Sequence, residues 1–286
     1  MKILVTGSNG QLGQELKELS NSTKDINFIF TDIQELDITN PKDVENFISK
    51  NKFDIIINCA AYTAVDKAET EKEKARKINA EAVYHLSKSA RENNALLIHI
   101  STDFVFDGKK NTPYTEEDKP KPLSVYGKTK LEGEKIALKE AKKLIILRTS
   151  WLYSSYGNNF VKTIIKNAKE KKNLRVVFDQ VGTPTYAKDL AKVILSLCNT
   201  KINTKEIFHY SNEGAISWFD FAKAICEIAK IDCEISPILT EEYKTLAKRP
   251  HYSVLNKNKI KKYLEIKIPY WKESLTECIK KIEGEI

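Results

Sequence analysis

Short apolar runs alternate with amphipathic stretches through the first half of the chain, the pattern of βαβ units that build a parallel sheet. Strands are predicted at 3–6, 28–31, 54–59, 96–101 and 144–148. Between them, Asn40 followed by Pro41 supplies an N-cap and a first-turn proline for a helix with Val44, Phe47 and Ile48 on one face. A longer helix is predicted over 71–91, with Ala75, Ile78, Ala82 and Leu86 at helical spacing. After Arg148 the rhythm loosens into a helix near 158–171, a strand at 174–178 and a helix at 187–197. Ser217, with Asp220 three residues on, marks the start of another helix carrying Phe221, Ala224, Ile225 and Ile228. The expected class is α/β, a doubly wound parallel sheet. Residues 1–149 form a dinucleotide-binding domain whose sheet continues through about 174–210; 150–173 and 211–286 form mainly a smaller C-terminal substrate-binding lobe.

Composition narrows this picture without redirecting it. At 286 residues, 41% hydrophobic and 30% charged, the chain has the profile of a globular protein, and no apolar stretch is long enough for a membrane span. A strand-like Ile3-Leu4-Val5 follows the first two residues, unlike the long apolar region of a secretory signal, so a cytoplasmic setting is expected. The five cysteines are odd in number and scattered, which argues for a reducing compartment and against zinc. The net charge of +8 is compatible with an anionic partner, but only five of the 47 cations are arginines. Arginine is the side chain that reads bases and phosphates bidentately, so nucleic acid is not expected.

Gly7-Ser8-Asn9-Gly10-Gln11-Leu12-Gly13 sits directly after the first strand and opens a helix. Glycines there let the chain turn sharply, bring backbone N–H groups to a diphosphate, and pack the helix on the strand. Asp32 stands at the end of the second predicted strand, where an acidic side chain accepts hydrogen bonds from the ribose hydroxyls. Together these point to a Rossmann-type sheet. Asp32 repels a 2′-phosphate and no cation follows before Lys42, which favours NADH, or use of both NADH and NADPH, over strict NADPH dependence.

Tyr126 and Lys130 lie at i and i+4 on one face of a predicted helix. An ammonium beside a phenol is expected to lower the phenol's pKa, so that Tyr126 exchanges protons near neutrality while Lys130 also holds the nicotinamide ribose. Thr102 ends the fourth strand at the carboxyl edge of the sheet, where its hydroxyl is placed to polarise a carbonyl that receives hydride.

These residues together resemble the extended short-chain dehydrogenase/reductase superfamily. Longer strings, Asn58-Cys59-Ala60-Ala61-Tyr62-Thr63-Ala64-Val65-Asp66-Lys67-Ala68-Glu69, Ser101-Thr102-Asp103-Phe104-Val105-Phe106, Arg148-Thr149-Ser150-Trp151-Leu152-Tyr153, Asp179 to Thr185 and Arg249 to Leu255, are similar to the dTDP-4-dehydrorhamnose reductase family over nearly the whole chain. The resemblance implies hydride transfer from NAD(P)H to the C4 ketone of dTDP-4-dehydro-L-rhamnose, the last step of dTDP-L-rhamnose synthesis. It implies catalytic roles for Thr102, Tyr126 and Lys130, and a cofactor site lined by Gly7, Gly10, Gln11, Leu12, Gly13, Asp32, Asp37, Ile38, Ala60, Ala61 and Tyr62. Val65, Asp103, Phe104, Val105 and Trp151 are to face the sugar nucleotide, with Phe104 replacing the family's usual tyrosine. Arg249 is a fork-shaped donor for the diphosphate or, alternatively, one half of a structural salt bridge.

Some family members carry an acidic Mg2+ site at a dimer contact. Glu15 matches one position, but Lys188 stands where another carboxylate is expected, so no metal is assigned and a homodimer remains open. Two rival readings are an epimerase or dehydratase on the same scaffold, against which Asp103-Phe104 lacks an Asp-Glu pair, and a non-catalytic regulatory subunit, against which the three catalytic side chains are intact.

Overall fold

The structure, a computed structural model, describes residues 1–23, 25–200 and 202–284. Six parallel strands form its central sheet: β1 (Lys2–Thr6), β2 (Asn27–Thr31), β3 (Ile55–Asn58), β4 (Leu96–Thr102), β5 (Lys143–Thr149) and β6 (Lys205–His209). Their order is β6-β5-β4-β3-β1-β2. The chain steps from β1 outward to β2, then returns to the other side of β1 for β3 and onward, so winding reverses between β1 and β3. In such sheets ligands bind outside the carboxyl ends of the strands at that switch point.

The sheet forms because its strands are apolar on both faces. Ile55–Ile57, Leu96–Ile98 and Leu144–Leu147 are all buried, as expected of parallel strands covered on each side by helices. On one face Ile3, Val5 and Ile57 pack with Leu12 and Leu16 of α1 (Gln11–Ser20) and with Leu190 and Ile194. On the other, Leu4, Ile56 and Leu97 meet Val44 and Ile48 of α2 (Pro41–Asn51) and Val83 and Leu86 of α3 (Ala82–Glu92). The cap predicted at Asn40 is present, its side chain accepting from the Lys42 and Asp43 amides.

Two expected features differ. The strand at Asn173–Val177 does not extend the central sheet; it pairs in parallel with Glu234–Ile238 and packs in a third cluster with Phe221, Ile225 and Leu275. Among the described residues only β6 continues the sheet beyond β5. The helix over 71–91 is not continuous either. An α-helical start at Lys72–Arg76 passes through a π turn at Lys77–Glu81 before α3 resumes. Such turns insert one residue and re-aim a side chain, here the buried Asn79. Among the described residues no helix is long and apolar enough to cross a membrane.

Candidate active site

The glycine-rich turn is built so that side chains are excluded from it. Gly7 has φ +68°, and a Cβ on it would lie 2.6 Å from the Ala60 Cα, while one on Gly13 would lie 2.5 Å from the Ser8 Cα. Gly10 is the N-cap of α1 and no side chain caps that end, leaving the first-turn amides and the positive end of the helix dipole for an anion. This is a cradle that fits a dinucleotide diphosphate. Behind it, the Asp32 carboxylate accepts from the Asn9 amide at 2.9 Å and the Ile33 amide at 2.8 Å.

A cleft of about 610 Å³ runs from this turn across the carboxyl ends of β1, β3, β4 and β5. Gly7, Gly10, Gln11, Leu12 and Gly13 line one end; Thr102, Tyr126 and Lys130 line its middle. Tyr126 and Lys130 project from α4 (Val125–Glu140), whose N-cap Ser124 accepts from the Gly127 amide at 3.1 Å. Gly127 lets this first turn press on the loop after β4: a Cβ there would meet the Phe104 carbonyl oxygen at 2.2 Å. Lys130 donates from Nζ to the Ile100 carbonyl at 2.6 Å. The Thr102 hydroxyl donates to Asp103 Oδ1 at 3.0 Å, accepts from the Phe104 amide and interacts with the Tyr126 phenol.

Burial dominates the electrostatics. It pushes Tyr126 up to about 12, against the pull of the Thr102 hydroxyl, and pushes Lys130 down to about 8, against the attraction of Glu134. The lowered phenol pKa expected from the Tyr126–Lys130 spacing is therefore not what the structure has. Desolvation of the phenol sets the direction, the Asp103 carboxyl adds to it, and the Thr102 hydroxyl opposes it. At neutral pH Tyr126 carries its proton and Lys130 its charge, the forms suited to giving a proton to a ketone that is being reduced. Asp103 is also pushed up by burial, to about 6.

The whole of residues 1–283 matches the family model described as RmlD substrate binding domain. The chain belongs to that family. It is 42% identical to a dTDP-4-dehydrorhamnose reductase of Aggregatibacter actinomycetemcomitans, over 96% of this chain and 97% of the relative. It is 38% identical to the enzyme of that name from Salmonella typhimurium, over 97% and 98%. Among solved structures, a dTDP-4-dehydrorhamnose reductase from Clostridium acetobutylicum superposes with a TM-score of 0.94 at 45% identity, covering 99% of this chain and all of that one. The Bacillus anthracis reductase, solved in complex with NADP, also gives 0.94, at 39% identity and over 98% and 99%.

The family's other expected contacts are placed unevenly. Ala61, Val65, Asp103, Phe104, Trp151 and Arg249 all line the cleft. Ala60 backs Gly7. Asp37 is held by the Thr39 amide and hydroxyl and borders a separate hollow with Phe47 and Lys50. Ile38 lies in the core under α2, Tyr62 is buried with Ala68 and Ala75, and Val105 is enclosed with Phe106, Tyr114 and Leu255. The side chains of those three serve packing, and their backbones shape the loops. Arg249 spends its fork on Asp66, at 2.6 and 3.2 Å, and holds that carboxyl below the usual range.

Several cleft residues were not read from the sequence. Trp218 stacks on Trp151 with centroids 3.5 Å apart and planes at 9°, and Phe160 leans on Trp218 at 4.6 Å. Trp151 sits at φ +47°, and Gly182 makes room for it: a Cβ there would lie 2.6 Å from the indole Cε2. Asn159 donates to the Gln11 side chain at 3.0 Å and ties this wall to α1. Asn79, from the π turn, clamps the backbone of Tyr62 from both its amide and carbonyl and donates to Thr129 on α4.

Glu15 does not fit a divalent cation. Its buried carboxylate accepts from Ser154 and faces Lys281 at 3.5 Å, while Lys188 pairs with Glu277 at 2.6 Å. Two ammonium groups thus supply the positive charge that a metal would bring to this acidic patch, and they repel a second cation.

Proposed function

We propose that this chain reduces the C4 ketone of dTDP-4-dehydro-L-rhamnose with NADH or NADPH to give dTDP-L-rhamnose, the last step of dTDP-rhamnose biosynthesis. The observation that carries the reading is the convergence of Thr102, Tyr126 and Lys130 in one cleft with the glycine cradle, in a chain whose relatives bear the reductase name.

In this reading Gly7, Gly10, Gly13 and the first turn of α1 hold the diphosphate, and Asp32 receives the adenosine ribose. When bound, the reduced nicotinamide supplies hydride to the ketone carbon. The Tyr126 phenol gives its proton to the ketone oxygen as negative charge develops there, completing an alcohol, and the Thr102 hydroxyl holds that oxygen in place. Lys130, anchored on the Ile100 carbonyl, favours the phenolate left behind until a proton is regained from solvent. Val65, Phe104 and the Trp151–Trp218 stack form the wall for the sugar nucleotide, an apolar face of the kind sugar rings pack on. The same reading divides the chain into a dinucleotide-binding part over 1–149, joined by β6, and a substrate lobe drawn from 150–173 and 211–286. It also carries a cytoplasmic setting and a homodimer. The test is a steady-state assay with synthetic dTDP-4-dehydro-L-rhamnose and NADH or NADPH in parallel. Cofactor oxidation matched by dTDP-rhamnose formation is expected, and consumption of the sugar without cofactor oxidation would refute it.

A further inference from the structure

One turn beyond Lys130 on α4, the carboxylate of Glu134 is buried where a charge is costly. It is fully engaged. Arg148, at the end of β5, donates to it from Nε at 2.9 Å and Nη2 at 2.7 Å, and the Ser101 hydroxyl donates to Oε1. Arg148 is 3% exposed and Glu134 1%, so this is an interior ion pair and not a solvated one. Its far side is closed by His209 of β6, 3.3 Å from Nη1, and by the ring of Phe106 at 5.2 Å. His209 is driven down to about 3 by burial and by Arg148, so it adds no charge.

The place of this pair is what gives it a use beyond stability. Ser101 stands on β4 between Ile100, whose carbonyl receives the Lys130 ammonium, and Thr102, which meets Tyr126. Glu134 follows Tyr126 and Lys130 at intervals of four on the same helical face. The 134–101 hydrogen bond therefore sets the register between the two elements that carry the whole trio. We propose that Glu134 is a positioning residue: through Ser101 it fixes α4 against β4, and its carboxylate acts on the Lys130 ammonium one turn away on the same helical face.

The other groups around Lys130 do not supply that charge. Cys59, at the end of β3, is pushed up to about 12 by burial, and His99 of β4 is held well below its ordinary value; both are neutral at pH 7. Tyr126 is protonated. Asp103 acts on the Tyr126 side of the trio. Arg76 pairs with Glu81 and Glu132 on the exposed side of the π turn. Glu134 is thus the carboxylate next to Lys130 on its own helix, its charge shared with the Arg148 guanidinium, and its attraction raises the lysine's pKa against its burial.

The inference rests on the reductase reading for its catalytic meaning, so one readout is independent of turnover. Lys130 is titrated by NMR of 13C-labelled lysine in the parent chain, in Glu134→Gln, and in Glu134→Gln with Arg148→Met, which removes both buried charges where the single change leaves Arg148 unpaired. Lys130 is expected to titrate about one to two pH units lower in Glu134→Gln and less far down in the double variant, where loss of the Arg148 cation offsets part of the change, and the alkaline limb of kcat/KM should move down with it. An unchanged Lys130 titration in folded Glu134→Gln, or a drop in the double variant as large as in the single one, overturns the electrostatic half. Ser101→Ala keeps the ion pair and removes only the strand link. It should lower kcat about tenfold through misplacement of the trio with KM for the reduced dinucleotide unchanged; parent kcat overturns the positioning half. Should neither charge variant fold, Ser101→Ala decides. A parent chain without reductase activity would sink the proposed function, while the NMR titration would still report on Glu134 and Lys130.

Discussion

Lys130→Met should make the protein inactive and, in a pH-dependent way, relatively more stable. Lys130 is 2% exposed, and burial takes its pKa from 10.5 to about 8. The sign follows from proton counting. Between these values the unfolded chain holds the proton and the folded chain releases it, so raising the pH favours the folded state. Each pKa unit is worth about 1.4 kcal/mol. Integrating the two titrations from pH 7 to pH 9.5 gives a gain of roughly 2 kcal/mol for the parent that methionine at this position cannot make. Urea unfolding of both proteins at the two pH values isolates this term, because other titrating groups are common to both. The parent should lose stability relative to the variant on going from pH 9.5 to pH 7 by that amount. Over the same range kcat/KM of the parent should fall above about pH 8, as the ammonium is lost. A stability difference that is flat with pH, or activity that persists unchanged to pH 10, would refute the claim that this lysine is held charged against its burial.

Further outcomes follow from the same geometry. Tyr126→Phe removes the proton donor and should lower kcat by roughly 10²–10⁴-fold with dinucleotide affinity unchanged, as read by stopped-flow turnover and fluorescence titration; near-parental kcat would take the phenol out of the chemistry. Gly182→Ala puts a Cβ 2.6 Å from the Trp151 indole and should cost about 1–3 kcal/mol of stability by overpacking. It should also raise KM for the sugar nucleotide and leave that for NADH alone; equal changes in both would show that the indole pair does not belong to the sugar side. Because Lys281 and Lys188 already face the Glu15 patch, EDTA should leave the thermal midpoint and activity where they were, and a fall restored by Mg2+ would contradict that account.

Much of the sheet was legible because strands buried on both faces are continuous apolar runs, and the glycine cradle was legible because only residues without a Cβ fit it. Thr102, Tyr126 and Lys130 could be grouped from strand end and helical spacing. What they do electrostatically could not. The i, i+4 spacing suggests an attraction, but the sign of the Tyr126 shift is set by burial, which spacing does not encode. The π turn at Lys77–Glu81 has no compositional mark, since one extra residue in a helical run leaves the apolar pattern nearly intact. Asn79 was hidden with it. The Trp151–Trp218 stack joins residues distant in the chain, and Glu134 with Arg148 looks in sequence like two surface charges until the fold encloses them. The Asn173–Val177 strand read as part of the main sheet because its β-branched residues suit either sheet; its pairing with Glu234–Ile238 is a tertiary choice.

The most direct measurement of the central claim is the fate of the hydride. With NADH carrying deuterium at the transferable position of the nicotinamide and dTDP-4-dehydro-L-rhamnose as acceptor, mass spectrometry and NMR of the product should find one deuterium, at C4 of dTDP-L-rhamnose, formed far faster by the parent chain than by Tyr126→Phe. Label elsewhere in the sugar, or an unlabelled product formed at the same rate, would contradict a cleft in which Thr102, Tyr126 and Lys130 reduce a C4 ketone.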